Sequence, residues 1–313
     1  SIPINAYSVP NKCNNIKKIC DVLDKVVGIK TPMMIPSGPI INDHFIITNR
    51  HVVEDHKQFI IKFNDGKIRK AFPLAHNFPA DLALLTLNKE LEVPNQLFFS
   101  NKIKGLINVV AFVQCRNSNR IYNKGKIISF SDILKYPQGR IHTTAKSLPG
   151  NSGGVAVDED GNFVGILASG DGNINEIIPI ALINDLLKNT NEIYKDQFLN
   201  TGKYIRLCAD NLDISFNTNK ELNKKIVNNI DDYCWKSNNK QLIDQAGQTF
   251  GRLGDLRRSS KFLEKSVQLD PMSPNSLLSL AITYHIDRKI EKERPLIKRL
   301  LKLTPENLSL IHI

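Results

Sequence analysis

Two patterns of apolar positions divide the chain. Up to about residue 190, apolar residues come in short runs, such as Phe45-Ile46-Ile47 and Leu82-Ala83-Leu84-Leu85. Segments such as Asn64-Asp65-Gly66, Asn123-Lys124-Gly125 and Asp160-Gly161-Asn162 separate them. Short apolar runs between turn signals predict buried strands joined by tight turns, an all-β body. Beyond about residue 190 glycine and proline thin out and apolar residues fall at helical spacing, which predicts an all-α region. At 313 residues the chain has the length of about two domains. The expected divisions are a partly helical N-terminal segment over 1–24, the β body over 25–200 and the helical region over 201–313.

The helical region carries an internal repeat. Pro271 and Pro305 lie 34 residues apart, and each follows a helical stretch, one ending in Leu269-Asp270 and the other in Leu303-Thr304. Gly247, Phe250, Gly254, Ser259, Leu263 and Ser266 precede the first proline. At the same offsets Ala281, Tyr284, Arg288, Glu293, Ile297 and Leu300 precede the second. This pattern resembles tetratricopeptide repeats, in which a small residue lets paired helices approach, an aromatic fills the gap and proline ends the second helix. The clearest copies are about 240–273 and 274–307. The second lacks the turn glycine at Arg288 and the small residue at Glu293. A stack normally needs about three repeats, so residues 205–239 are expected to supply degenerate helices that complete it.

Composition narrows the functional classes. With 41% hydrophobic residues the chain can bury a proper core, and no apolar run approaches the length of roughly 18 residues that a membrane span needs. The net charge of +11 invites a nucleic-acid reading. Its distribution argues against one: residues 1–190 carry 22 basic and 16 acidic side chains, residues 191–313 carry 20 and 15, and no basic run is interleaved with aromatics. The five cysteines are odd in number and fit no metal spacing, which excludes a dense disulfide framework; Cys13 and Cys20 either pair locally or are two buried positions of one helix, and the balance favours free thiols. Neither a metal nor a cofactor is expected. The chain opens at Ser1, in keeping with a processed N-terminus.

The candidate chemistry lies in Pro149-Gly150-Asn151-Ser152-Gly153-Gly154. A serine in a glycine-flanked loop suits a nucleophile for acyl transfer, because the oxyanion formed on attack needs two backbone N–H donors, here those of Gly150 and Ser152. Upstream, His51 follows the apolar run 45–47, where a chain leaving a strand can aim a general base into a cleft. Asp81 is a lone carboxylate opening the apolar run 82–85, and an ionised group at the lip of a core needs a partner. The N–H of His51 is that partner on this reading.

In this order, Thr48-Asn49-Arg50-His51-Val52-Val53, Asp81-Leu82-Ala83-Leu84-Leu85 and Pro149–Gly154 resemble the trypsin-like serine proteases, most nearly the HtrA/Deg branch. Ser37-Gly38-Pro39-Ile40-Ile41 and Asp160–Ile166 are similar to flanking strands of that family, and the resemblance covers about residues 25–190. It implies a two-barrel all-β protease domain with His51 and Asp81 from the first barrel and Ser152 from the second. It also implies protein or peptide substrates and an extracytoplasmic location. HtrA-like sequences usually carry Gly-Ile-Asn-Thr or Ser after the nucleophile hairpin, whereas this chain has Gly165-Ile166-Leu167-Ala168-Ser169. Residues 166–169 should wall the specificity pocket, and Lys146 falls where its floor is expected. No PDZ domain, usual in HtrA relatives, is legible. The chain therefore reads as a serine endopeptidase whose helical repeats bind a protein partner or a second copy and take no part in the chemistry. The alternative is a catalytically silent protease-fold scaffold.

Overall fold

The computed structural model describes residues 16–91, 99–100, 105–113, 118–147, 150–170, 173–218 and 222–306. Strands β1 (Val26–Lys30), β2 (Ser37–Pro39), β3 (Phe45–Thr48), β4 (Phe59–Lys62), β5 (Ile68–Pro73) and β6 (Ala83–Leu87) form one sheet in the order β2-β1-β4-β5-β6-β3. A bridge between Ile40 and Ile46 brings its two ends together, so the sheet is a nearly closed barrel. Strands β7 (Leu106–Val113), β8 (Ser118–Phe130), β9 (Ile141–Thr143), β10 (Val155–Val157), β11 (Phe163–Gly170) and β12 (Asn175–Pro179) close a second barrel in the order β10-β11-β12-β9-β8-β7. All its neighbours are antiparallel, as connections by short turns allow. This is the two-barrel arrangement that the resemblance implies.

Two of the turn segments behave as their glycines suggest, with Gly66 and Gly161 at φ of 82° and 78°. The third does not. Asn123-Lys124-Gly125 lies inside the long strand β8, and a Cβ on Gly125 would stand 1.9 Å from the backbone N of Ala145. That glycine permits close passage of a neighbouring chain, not a reversal.

The barrels share a core. Ile47, Leu82 and Leu84 of the first pack with Val155, Ile166, Ala168 and Ile178 of the second. Ile19 of helix α1 (Lys17–Asp21) and Leu186 of α3 (Ile183–Lys188) join them, while α2 (Arg50–Val53) caps the end of β3. Apolar burial thus fixes one barrel against the other and makes a firm base for the cleft between them.

Helices α4 (Lys195–Asn217), α5 (Lys224–Ser237), α6 (Lys240–Arg252), α7 (Leu256–Leu269), α8 (Pro274–Ile286) and α9 (Ile290–Leu303) follow. They pack as the pairs α4/α5, α6/α7 and α8/α9, with further contacts between α5 and α6 and between α7 and α8. Asn239, Asp255 and Ser273 cap α6, α7 and α8, accepting bonds from the N–H groups of Leu242, Arg258 and Ser276. Gly247 brings α6 against Leu263 of α7, where a Cβ would come within 2.6 Å of the leucine. Gly254 turns α6 into α7 at φ 75°, and Arg288 takes the same left-handed conformation, at φ 57°, between α8 and α9.

Helix α4 runs straight through position 200 and belongs to both parts of the molecule. Its Phe198 is buried in the first barrel's core with Val52, Val53 and Ala75, beneath the guanidinium of Arg50. Free thiols are not what the helices contain. Cys208 of α4 and Cys234 of α5 are joined in a disulfide within the core formed by Ile205, Leu212 and Ile230, and Cys20 is disulfide-bonded as well. The 208–234 pair joins two separate helices, so sequence spacing alone gave no sign of it.

Candidate active site

His51 and Asp81 meet at the edge of the first barrel. His51 stands in α2, immediately after β3, and Asp81 precedes β6, the strand paired with β3. The register Thr48 opposite Ala83 therefore brings the two segments side by side. Nδ1 of His51 lies 2.7 Å from Oδ2 of Asp81, and the His51 backbone N–H donates to Oδ1 at 2.9 Å. Asn49 Nδ2 donates to the Asp81 carbonyl at 3.3 Å. With Nδ1 bound to the carboxylate, the neutral ring carries its proton there and leaves Nε2 as the basic nitrogen.

Asp81 is 3% exposed. Burial alone pushes its carboxyl up, but the charge and hydrogen bonds of His51 and the guanidinium of Arg140 hold it below the usual carboxylate range. Arg140 Nη2 lies 3.6 Å from Oδ2.

The serine loop is tied to both barrels. Ser37 of β2 donates its N–H to the Ser152 carbonyl at 2.7 Å, and Gly153 and Leu167 exchange backbone bonds with the loop and β11, Gly153 N to Leu167 O at 2.9 Å and Leu167 N to Gly154 O at 2.7 Å. Gly150 and Gly153 have φ of 90° and 80°. Among the described residues the N–H groups of Gly150 and Ser152 have no acceptor. The Ser152 hydroxyl donates to the Ala168 carbonyl at 3.2 Å, and no hydrogen bond among the described residues joins it to His51.

Of the residues expected to wall a pocket, Ile166 and Ala168 are buried in the shared core and Leu167 in the second barrel's own core, on the other side of the strand. Their side chains are packing residues, so a wall at this position would consist of β11 backbone. The Ser169 side chain lies outside the described residues. Lys146 is exposed.

Sequence reasoning missed a buried polar cluster behind Asp81. Asn239, between α5 and α6, donates from Nδ2 to Asp81 Oδ1 at 2.9 Å. Arg140 Nη1 and Lys240 Nζ each lie 2.5 Å from the carboxylate of Glu176, on opposite oxygens. Asp270 takes a bond from His142 Nε2 at 2.9 Å and one from the Ser131 hydroxyl. Gln138 clamps the α5–α6 turn, donating to Asn238 O at 2.8 Å and accepting from Lys240 N at 2.9 Å. The cationic partners hold the carboxylates of Glu176 and Asp270 low against the burial that would raise them. His142, Glu176 and Asp270 converge within the reach of one cation, but Lys240 and Arg140 already supply the positive charge there. Glu176 had a readable signal, a single acid inside the apolar strand Asn175-Glu176-Ile177-Ile178, which is the same signal that marks Asp81. The helical region thus reaches Asp81 itself.

Residues 36–166, which carry the histidine, the carboxylate and the serine, match the trypsin-like peptidase domain. The chain is 29% identical over 180 residues to the serine endoprotease DegS of Escherichia coli, covering 54% of this chain and 50% of that protein. It is 27% identical over 223 residues to a putative protease Do-like 13 of Arabidopsis thaliana, covering 63% and 43%. The chain therefore spans about half the length of the curated relatives it matches. Among solved structures, the M. tuberculosis protein Rv3671c in an inactive form aligns at TM-score 0.48 and 19% identity, over 61% of this chain and 97% of that one. The HtrA-type protease AlgW with a tripeptide aligns at TM-score 0.47 and 23% identity, over 55% and 61%.

Proposed function

We propose that the protein hydrolyses peptide bonds in protein substrates, with Ser152 as nucleophile, His51 as general base and Asp81 as its partner. The observation that carries this is the 2.7 Å contact between His51 Nδ1 and the buried Asp81 carboxylate, which leaves Nε2 as the proton acceptor. In the reaction the Ser152 hydroxyl turns from Ala168 O to His51 Nε2, gives up its proton and attacks the scissile carbonyl. The N–H groups of Gly150 and Ser152 receive the oxyanion. His51 then returns the proton to the leaving amine, and water repeats the cycle on the acyl-enzyme. Substrate pairs along the 166–169 backbone, and small or medium aliphatic side chains precede the cleaved bond, because the described residues of this stretch offer no acidic group.

The helix pairs α6/α7 and α8/α9 are tetratricopeptide-like units on this proposal. Support comes from the coincidence of the 34-residue period with the pairs and from Arg288 taking the backbone conformation of Gly254. Such arrays bind a protein partner or a second copy on a concave face. The disulfide between α4 and α5 favours an oxidising, extracytoplasmic setting. Among the described residues no helix is long and apolar enough to cross a membrane.

Hydrolysis of unfolded casein tests the reading. Wild type cleaves it, and Ser152→Ala does not while keeping the wild-type melting temperature. Equal rates for the two would remove Ser152 from the mechanism.

A further inference from the structure

Asp81 is held from three sides. The backbone and ring of His51 take one oxygen each, and Arg140 faces Oδ2. The third side is closed by Asn239, which is 4% exposed and donates to Oδ1 at 2.9 Å. Asn239 has two functions at once. Its Oδ1 caps α6 by accepting from Leu242 N at 3.2 Å, which fixes the amide plane and aims Nδ2 at the carboxylate. The turn that carries it is locked by Gln138 on both flanks, and Lys240, the next residue, is anchored by Glu176. A donor held this firmly can orient a carboxylate without reorganising during reaction.

We infer that Asn239 is a positioning residue for the His51–Asp81 pair, so that the helical region completes the protease site in cis. This rests on the functional reading above. Asn239 touches neither substrate nor the reacting atoms and acts through Asp81. Its N–H spreads the carboxylate's charge and fixes the plane in which Oδ2 meets Nδ1 of His51. Docking of the α5–α6 turn is then a condition for turnover, and any partner that shifts the helices changes the activity.

Two substitutions separate the functions of Asn239. Asn239→Ala removes both the cap and the donor. Asn239→Ser keeps a capping oxygen on a side chain one bond shorter than the amide, so it no longer reaches Asp81 Oδ1. The readout is cleavage of a short chromogenic peptide by the full chain across pH, with melting temperature measured alongside. Losing a hydrogen bond to a charged group predicts that kcat falls roughly tenfold to a hundredfold in both variants, with KM unchanged. The acid limb of kcat should also move up by roughly half a pH unit, because a carboxylate with less of its charge spread favours the imidazolium more. The other charged groups facing the pair, Arg140, Arg50 and Glu54, and beyond them Glu176 and Lys240, are the same in every protein compared. A folded variant with wild-type kcat and acid limb overturns the inference, even where its melting temperature has dropped. If Asn239→Ala does not fold, Asn239→Ser decides by the same criteria. A wild-type enzyme without Ser152-dependent activity overturns the underlying reading instead.

Discussion

Gly153 leaves no room for a side chain. A Cβ there would stand 1.8 Å from the Ser37 carbonyl oxygen and 2.5 Å from Thr48 Oγ1, and the residue's φ of 80° disfavours any L side chain. Gly153→Ala should therefore cost about 1–3 kcal/mol from the backbone conformation alone. Because Ser37 N holds Ser152 O next to it, the clash should also displace the serine. Peptide hydrolysis should drop at least roughly a hundredfold, as misplacements of about 1 Å do. Urea denaturation and a peptide rate check the two effects, and an alanine variant with wild-type values for both would show that the loop has slack. Residues like these were legible because their chemistry is local. A serine among glycines, a histidine after a strand and an acid opening an apolar run each carry their signal within a few positions. Asn239 carries only the signal of a helix cap, because its partner lies 158 positions away in the chain.

At the scale of elements, the α5–α6 turn and strands β9 and β12 form one electrostatic unit. Lys240 is 1% exposed and lies between the carboxylates of Glu176 and Asp270, at 2.5 Å and 3.8 Å. Removing one partner from a buried set strands the other charges. Lys240→Met should cost about 3–5 kcal/mol of stability in denaturant, and adding Glu176→Gln should restore part of it. A Lys240→Met loss within experimental error of zero would show that the cluster is wetter than its burial suggests. Elements were legible wherever apolar period and turn chemistry agreed, as in β3, β6 and the capped helices α6 to α8. Gly125 misled because glycine serves close approach as readily as it serves turns. The division at 200 misled because α4 is a single helix with one end in the barrel core, and helical spacing does not say what a helix packs against.

Across the whole molecule, contacts between barrels and helices set the response to pH. Glu54, at the end of α2, faces α4, where Gly202 lies so close that a Cβ would come within 2.0 Å of the Glu54 carbonyl. Burial, then the charges of Asp210 and Asp55, push the Glu54 carboxyl up to about 7. An acid raised in the folded state holds its proton there between its ordinary value near 4.5 and about 7, so its contribution to stability declines as pH rises through that window. The wild-type melting temperature should fall more between pH 5 and pH 8 than that of Glu54→Gln, and parallel curves would contradict this assignment. Asp81, Glu176 and Asp270 act in the opposite sense. Their depressed carboxyls stabilise the docked molecule above the ordinary carboxylate range, and that stability is lost as pH falls through the lower folded values. The chemistry proposed for this body makes Ser152 a nucleophile activated by His51 on Asp81. Labelling with a fluorophosphonate, followed by peptide mass spectrometry, tests that most directly. Covalent modification at Ser152, lost in His51→Ala although the serine remains, is the predicted result. An unlabelled wild type, or a label on another residue that survives Ser152→Ala, would contradict the account.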